Sequence, residues 1–256
     1  MISAIIITKN EEKNIADCIA SLSFCDEIVV VDADSSDATA QIARSHGASI
    51  ITRAWQGYGD QKNAGIDATT GDWLLFLDAD ERISPELQED IKRHIANAQH
   101  PVYWITIEDI FLGKRLRHLV GHNPRLVRKE AARWNKNPVH EQLLYTDTHN
   151  VVLYKDGRSG EITTPIIHHS HDSISSYLRK MHRYTSLDAE HMKEKGTHRS
   201  GREITNSPLL PYQLGIRQLV KLLFYRKGIL DGWQGFVWCI LSGYYEFEMG
   251  KKYRSL

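Results

Sequence analysis

A chain of 256 residues, 41% apolar and 25% charged, is long enough to bury the core of one large globular domain, or of one domain with an appendage. Its zero formal charge hides an asymmetry: residues 1–95 hold 8 Lys and Arg against 17 Asp and Glu, and residues 96–256 hold 24 against 15. An acidic front half is a poor nucleic-acid surface but suits a dianion held through a cation, and a basic back half favours an anionic partner such as a membrane surface, unless the charges merely line solvated faces.

The first 95 residues alternate strand and helix patterns. "SAIIIT" is a continuous apolar run of the kind a strand covered on both faces carries. Ile15, Ile19 and Leu22 then form one helical stripe. "EIVVVDAD" predicts a second buried strand, followed by a helix capped by Ser35 or Ser36 that runs through Ile42 to a stop at Gly47. "ASIIT" predicts a third strand, "DQKNAGIDATTG" a helix ending at Gly71, and "DWLLFLDAD" a fourth strand. Ser84 and Pro85 form an N-cap and N1 pair for a helix carrying Leu87, Ile91 and Ile95.

Strands separated by helices imply a mostly parallel sheet covered on both faces, with ligands bound beyond the carboxyl ends of the strands. Those ends are polar here: Thr8, Asn10 and Glu11 after the first, Asp32 and Asp34 after the second, Asp78 and Asp80 after the fourth. From about residue 101 the pattern changes. "VYWITIEDIF" and "PRLVRKEAARW" predict longer strands of a mixed or antiparallel region, continued by "HEQLLY" and "NVVLYK". An amphipathic helix follows near 173–194, with Ile174, Tyr177, Leu178, Met181, Tyr184 and Leu187 on one face. The aromatic, basic C-terminal segment contains no apolar run long enough for a transmembrane helix. It suits an interfacial element, a helix pair packed on the core, or a homodimer interface. The three cysteines lack CxxC spacing and Met1 leads straight into a strand, so the expectation is a reduced, cytoplasmic protein.

Asp78 and Asp80 close a buried strand with two oxygen ligands, the number Mg²⁺ or Mn²⁺ takes from a protein when phosphates and water complete its shell. "VVVDADSSDAT" by itself resembles the nucleophile motif of haloacid dehalogenase-type phosphatases, with Asp32 as nucleophile and Asp34 as acid. The competing reading makes these carboxylates acceptors for a uracil N–H or ribose hydroxyls. Neither GxxxxGK[ST] nor GxGxxG occurs, so a nucleotide would be gripped through a metal and side chains. "HHSH" at 168–171 reads either as a structural zinc site or as acceptor and phosphate contacts.

"TKNEE", "VVVDADSSDAT", "GDQKNAGIDATTGDWLLFLDADE" and "NPVHEQ" together resemble family 2 glycosyltransferases. "FLGKRLRH", "ARWNKNPVHE", "SSYLRKMHRYTSLDAE" and "RKGILDGWQGFVWCILSGYYEF" resemble one subgroup, the lipopolysaccharide inner-core β-1,4-glucosyltransferases that act on heptose. The resemblance implies a GT-A (Rossmann-like) mixed sheet with helices on both faces over residues 1–165, and a helical, aromatic-rich extension over 166–256. It implies inverting transfer of glucose from UDP-glucose to heptose of the lipopolysaccharide core, with Mg²⁺ or Mn²⁺, at the inner face of the cytoplasmic membrane and with no nucleic-acid partner. Asp80 corresponds to the main metal ligand and Asp78 to a ribose or metal-side group. Thr8, Glu11 and Asp32 correspond to uridine-pocket positions, Lys62 and Asn63 to donor-facing ones, and Glu141 to the catalytic base; His140 beside it reads either as a group that orients that carboxylate or as a simple packing residue. The sequence departs from the family at Ala33, where many members carry a second adjacent aspartate. The rival expectations are the phosphatase and a non-catalytic sugar-nucleotide binder.

Overall fold

The computed structural model describes residues 1–137 and 141–256. They divide into two compact units, Met1–Ile107 with Gly121–His168, and Glu108–Val120 with His169–Leu256. The second unit thus takes a segment, Glu108–Val120, that a division at 165 leaves with the first.

In chain order the first unit holds β1 (Ile2–Thr8), α1 (Ile15–Ala20), β2 (Glu27–Asp32), α2 (Thr39–Ser45), β3 (Ser49–Thr52), α3 (Tyr58–Ala68), β4 (Trp73–Asp78), β5 (Glu81–Arg82) and α4 (Pro85–Ala96). Then follow β6 (Val102–Phe111), whose end from Glu108 belongs to the second unit together with β7 (Lys114–Arg115), and β8 (Gly121–Arg128), β9 (Ala132–Trp134), β10 (Leu143–Tyr145) and β11 (Ser159–His171), which passes into the second unit at His169. Among the described residues the main sheet runs β3-β2-β1-β4-β8-β6-β11-β5, with β7 paired to β6. β3, β2, β1 and β4 are mutually parallel, and β8 is antiparallel to β4 and to β6.

Strand alternation sends successive apolar residues to opposite faces. Ile6, Leu75 and Leu77 join a core with Ile15, Leu22 and Ile91. Ile5, Leu74 and Phe76 join another with Ile66, Val127 and Trp134. All of β1 is therefore buried, as its unbroken apolar run requires.

Several boundaries differ from the sequence reading. α2 starts at Thr39 after Ala38: the Ser35 hydroxyl accepts from the Asn10 N–H and donates to Asp32, and the Ser36 N–H and hydroxyl go to the Asn10 carboxamide oxygen, so neither serine caps the helix. α3 ends at Ala68, and Gly71 serves the strand instead of the helix. Its N–H donates to Ser3 Oγ at 2.9 Å, and a Cβ there would lie 2.5 Å from that oxygen. "PRLVRKEAARW" is two strands in two sheets, since a turn closed by the Ala131 N–H on the Arg128 carbonyl separates β8 from β9. "NVVLYK" supplies an isolated bridge from Val151 to Leu144 in place of a strand.

The second unit contains α5 (Ile174–Lys195), α6 (Leu210–Val220), a π-helical turn (Lys221–Tyr225), a 3-10 turn (Gly228–Asp231) and α7 (Gly232–Ser255). The buried stripe of α5 is Tyr177, Met181, Thr185, Asp188, Ala189 and Met192, while Ile174 and Leu178 are exposed. Polar residues lie inside because they are paired: Asp188 accepts from the Tyr245 hydroxyl at 2.7 Å, and Glu246 meets His198 at 2.9 Å and Arg199 at 2.5 Å. Among the described residues no helix is long and apolar enough to cross a membrane.

Candidate active site

Parallel register sets the polar strand ends side by side. Thr8 pairs with Asp32 across β1 and β2, and Ile7 pairs with Asp78 across β1 and β4. Three chain segments thus deliver their terminal polar groups to one rim.

At the β2 end, Asp32 is 2% exposed. One of its carboxylate oxygens accepts the Ser35 N–H at 3.0 Å and the other accepts the Ser35 hydroxyl. Such a carboxylate is a fixed acceptor of two hydrogen bonds from Ser35. Asn10 and Asp34 both adopt left-handed backbone, with φ of 56° and 53°, which Asn and Asp tolerate better than other side chains. The Asn10 carboxamide accepts the Ser36 N–H at 2.8 Å, and Asp34 is exposed. The Glu11 carboxylate accepts from Asn14 at 2.7 Å, and its N–H donates to Thr39. These contacts staple the two strand-end loops together.

Thr8 stands apart. Its hydroxyl is buried and has no hydrogen-bond partner among the described residues, a cost of about 1–3 kcal/mol unless a ligand satisfies it.

The β4 end is a charge cluster. Arg125, from β8, is 4% exposed, and its Nη2 donates to Asp78 at 2.9 Å and to Glu81 at 2.5 Å. The Asp78 N–H also donates to Glu81, at 2.9 Å. Burial pushes the Glu81 carboxyl up to about 7 against the pull of Arg125, and the Asp78 charge adds to the rise. Burial would raise Asp78 as well, but Arg125 and then Lys62 outweigh it and hold that carboxyl well below its usual range. The two carboxyls around one guanidinium therefore separate, one firmly ionised and one close to taking a proton.

Asp80 lies on the other side of this turn, with His168 Nε2 at 3.3 Å from its carboxylate. The antiparallel pairing of His168 with Glu81 in β11 and β5 brings the imidazole there. His169 and His171 belong to the second unit, where His171 packs on Tyr177. Among the described residues no group of three or more His, Cys, Asp or Glu side chains is set to hold a metal ion, so the zinc reading of "HHSH" has no donor set there. A partly exposed carboxylate beside an imidazole does fit a divalent cation that takes the rest of its shell from phosphate oxygens and water.

Lys62, on α3, donates to Glu141 at 2.6 Å, and its ammonium sits 4.1 Å from the centre of the Trp134 ring. Both members of the pair are largely shielded, at 8% and 15% exposure. Asn63 is clamped to Trp134, its amide donating to the carbonyl at 2.8 Å and its oxygen accepting the N–H at 3.0 Å. That engagement ties α3 to β9 instead of leaving the carboxamide turned to a ligand. His140 lies outside the described residues. Sequence reasoning missed Arg125 and Glu81 and left His168 unassigned. The available signal for Arg125 was a lone cation in the apolar stretch "PRLV".

Comparison with known proteins agrees with this geometry. Residues 3–156 match Glycosyl transferase family 2. An uncharacterised glycosyltransferase of Rickettsia felis is 30% identical over 99% of this chain and 89% of its own length. The lipopolysaccharide core biosynthesis glycosyltransferase LpsC of Rhizobium meliloti is 27% identical, covering 100% of this chain and 89% of its own. Among solved structures, mannosyl-3-phosphoglycerate synthase from Rubrobacter xylanophilus superposes with a TM-score of 0.51 at 18% identity, over 77% of this chain and 75% of that one. The mixed sheet with its covering helices is the GT-A architecture, and the chain belongs to glycosyltransferase family 2, not to the phosphatases that the motif after β2 by itself resembles.

Proposed function

We propose that this glycosyltransferase is an inverting, metal-dependent enzyme that moves glucose from UDP-glucose to heptose of the lipopolysaccharide inner core. The observation that carries the reading is the shared rim, where the unpartnered Thr8 hydroxyl and the Asp32, Asp78 and Asp80 carboxylates end adjacent parallel strands. Thr8 would satisfy its hydroxyl on the nucleoside, with Asp32 and Glu11 framing the uracil, and Asn10 and Asp34 shaping the loops around it. Asp80, with Asp78 two residues before it, would hold Mg²⁺ or Mn²⁺, the rest of the shell coming from phosphate oxygens and water. When bound, that cation supplies positive charge against the leaving diphosphate.

Glu141 is the proton acceptor in this reading. Its carboxylate takes the proton of the acceptor hydroxyl while that oxygen forms the new bond to the anomeric carbon. The bond from that carbon to the diphosphate breaks on the opposite face, and UDP leaves with the electron pair. Lys62 holds Glu141 by its ion pair and also contributes to the field on Asp78. The acceptor assignment is supported by likeness to LpsC along the whole chain and by the basic back half, which suits a phosphorylated glycolipid.

The test is UDP release from UDP-glucose by purified protein with Mn²⁺ and a heptose-terminated core acceptor, with the anomer of the product read by NMR. A β-linked product, lost in Asp80→Asn, is expected. Release only from another nucleotide sugar refutes the donor, an α-linked product refutes inversion, and UDP binding without turnover on any acceptor leaves a sugar-nucleotide binder.

A further inference from the structure

The second unit ends in a helix hairpin whose inner face is made for close backbone approach. A Cβ on Gly215 would lie 3.0 Å from the Gly243 carbonyl, and one on Gly243 would lie 3.1 Å from the Gly215 carbonyl. With α6 and α7 so close, their large apolar side chains face outward. Tyr212, Ile216 and Val220 follow one stripe of α6, and Phe236 and Ile240 one stripe of α7, all exposed. Exposure is greatest where the helices join: Phe224 is 69%, Tyr225 83%, Leu230 62% and Trp233 60% accessible. An apolar patch of that extent marks an interaction surface.

The charges around this end have one sign. Arg217, Lys221, Arg226 and Lys227 are all exposed. The one acid between residues 204 and 245 is Asp231, which is buried. Its two carboxylate oxygens accept the N–H groups of Arg117 and His118 at 3.0 Å each, and His118 Nδ1 lies 2.9 Å away. That contact braces the tip against the Glu108–Val120 hairpin, which adds Lys114: a Cβ on Gly232 would lie 2.6 Å from the Lys114 ammonium.

We propose that the joined end of α6 and α7 docks on an anionic lipid bilayer, with Phe224, Tyr225, Leu230 and Trp233 at the acyl boundary and the cations against the headgroups. Amphipathic Tyr and Trp settle at that depth, and cations just above it gain from the negative surface potential. A second copy of the chain is the poorer occupant, because a two-fold contact would set these cations against themselves with no exposed acid in this segment to receive them. The inference rests on the second unit alone and stands whichever sugar is transferred.

Flotation of the full-length protein with phosphatidylcholine vesicles, with and without phosphatidylglycerol, tests it. Partition is expected to rise with phosphatidylglycerol and fall with salt. Neutralising Lys221, Arg226 and Lys227 together to Gln should lower it about a hundredfold, about fivefold per cation. Phe224→Ser and Leu230→Ser should each lower it at least about tenfold with an unchanged melting temperature, since both side chains are exposed. Failure of the wild-type protein to bind phosphatidylglycerol vesicles overturns the proposal. So does wild-type partition of the variants, or a variant that turns a dimer into a monomer while still floating.

Discussion

Replacing Arg125 by Met tests the charge cluster most directly. One guanidinium nitrogen serves two carboxylates, at 2.9 Å and 2.5 Å, from a side chain 5% exposed. Removing one partner of a buried ion pair costs about 3–5 kcal/mol, because the other charge stays behind uncompensated. Two features of the site place the loss near the lower end. Burial already pushes Glu81 to about 7, so the orphaned carboxyl escapes by taking a proton at neutral pH. Asp78 has a side chain 38% exposed and is open to hydration. A loss of about 3 kcal/mol is therefore expected, a urea midpoint shift of about 1 M for a slope of about 3 kcal/mol per M. Adding Glu81→Gln to Arg125→Met removes the carboxyl that must otherwise take up a proton, so the double variant should lose less than the sum of the two single losses, a coupling that a double-mutant cycle reads directly. A loss below about 1 kcal/mol, or strict additivity of the two substitutions, refutes the argument that this pair is a buried, mutually dependent unit.

Thr8→Val removes a buried hydroxyl that has no partner among the described residues, so the melting temperature of the ligand-free protein should rise while UDP binding, followed by calorimetry, weakens. A fall in both would mean that the hydroxyl is satisfied without ligand. Glu141→Gln should lower turnover by about 10²–10⁴ and leave the thermal shift given by UDP unchanged, and near-normal turnover would remove Glu141 as the base. The pH dependence of the second unit follows from Glu246: burial would raise its carboxyl, but His198 and Arg199 bring it below the ordinary value. A depressed carboxyl gives stability that is complete above the unfolded pKa and drains away as pH falls through the folded one. Denaturation followed by Trp fluorescence should show stability declining below about pH 4.5, and Glu246→Gln should flatten that decline.

The primary sequence alone determined the parallel part of the sheet and the rim of the site. Short apolar runs rich in β-branched or aromatic residues and ending in Thr8, Asp32 and Asp78 read as strands buried on both faces, and buried parallel strands carry their ligands at the carboxyl ends. The Ser84–Pro85 start of α4 was equally legible, because a cap is local chemistry: Ser84 Oγ accepts the Leu87 N–H at 3.3 Å. What the sequence could not disclose is every pairing set by antiparallel register and long separation. Lys62 meets Glu141 across 79 positions, and His168 meets Asp80 across 88. Neither distance leaves a periodic trace, since each follows from how separate elements settle against one sheet.

The buried face of α5 was legible at Tyr177 and Met181 and escaped elsewhere for a related reason. Hydropathy selected Ile174 and Leu178, whereas packing selected Thr185, whose hydroxyl donates to the Met181 carbonyl in its own helix, and Asp188, which meets the Tyr245 hydroxyl only once α7 is in place. Asn63 shows the same limit at the site, a side chain whose position suited a ligand but whose hydrogen bonds the fold had already assigned to Trp134. Local periodicity determined which segments are buried and where they end. Only tertiary structure decided which charges share a counter-ion, because burial makes that choice after the chain has folded.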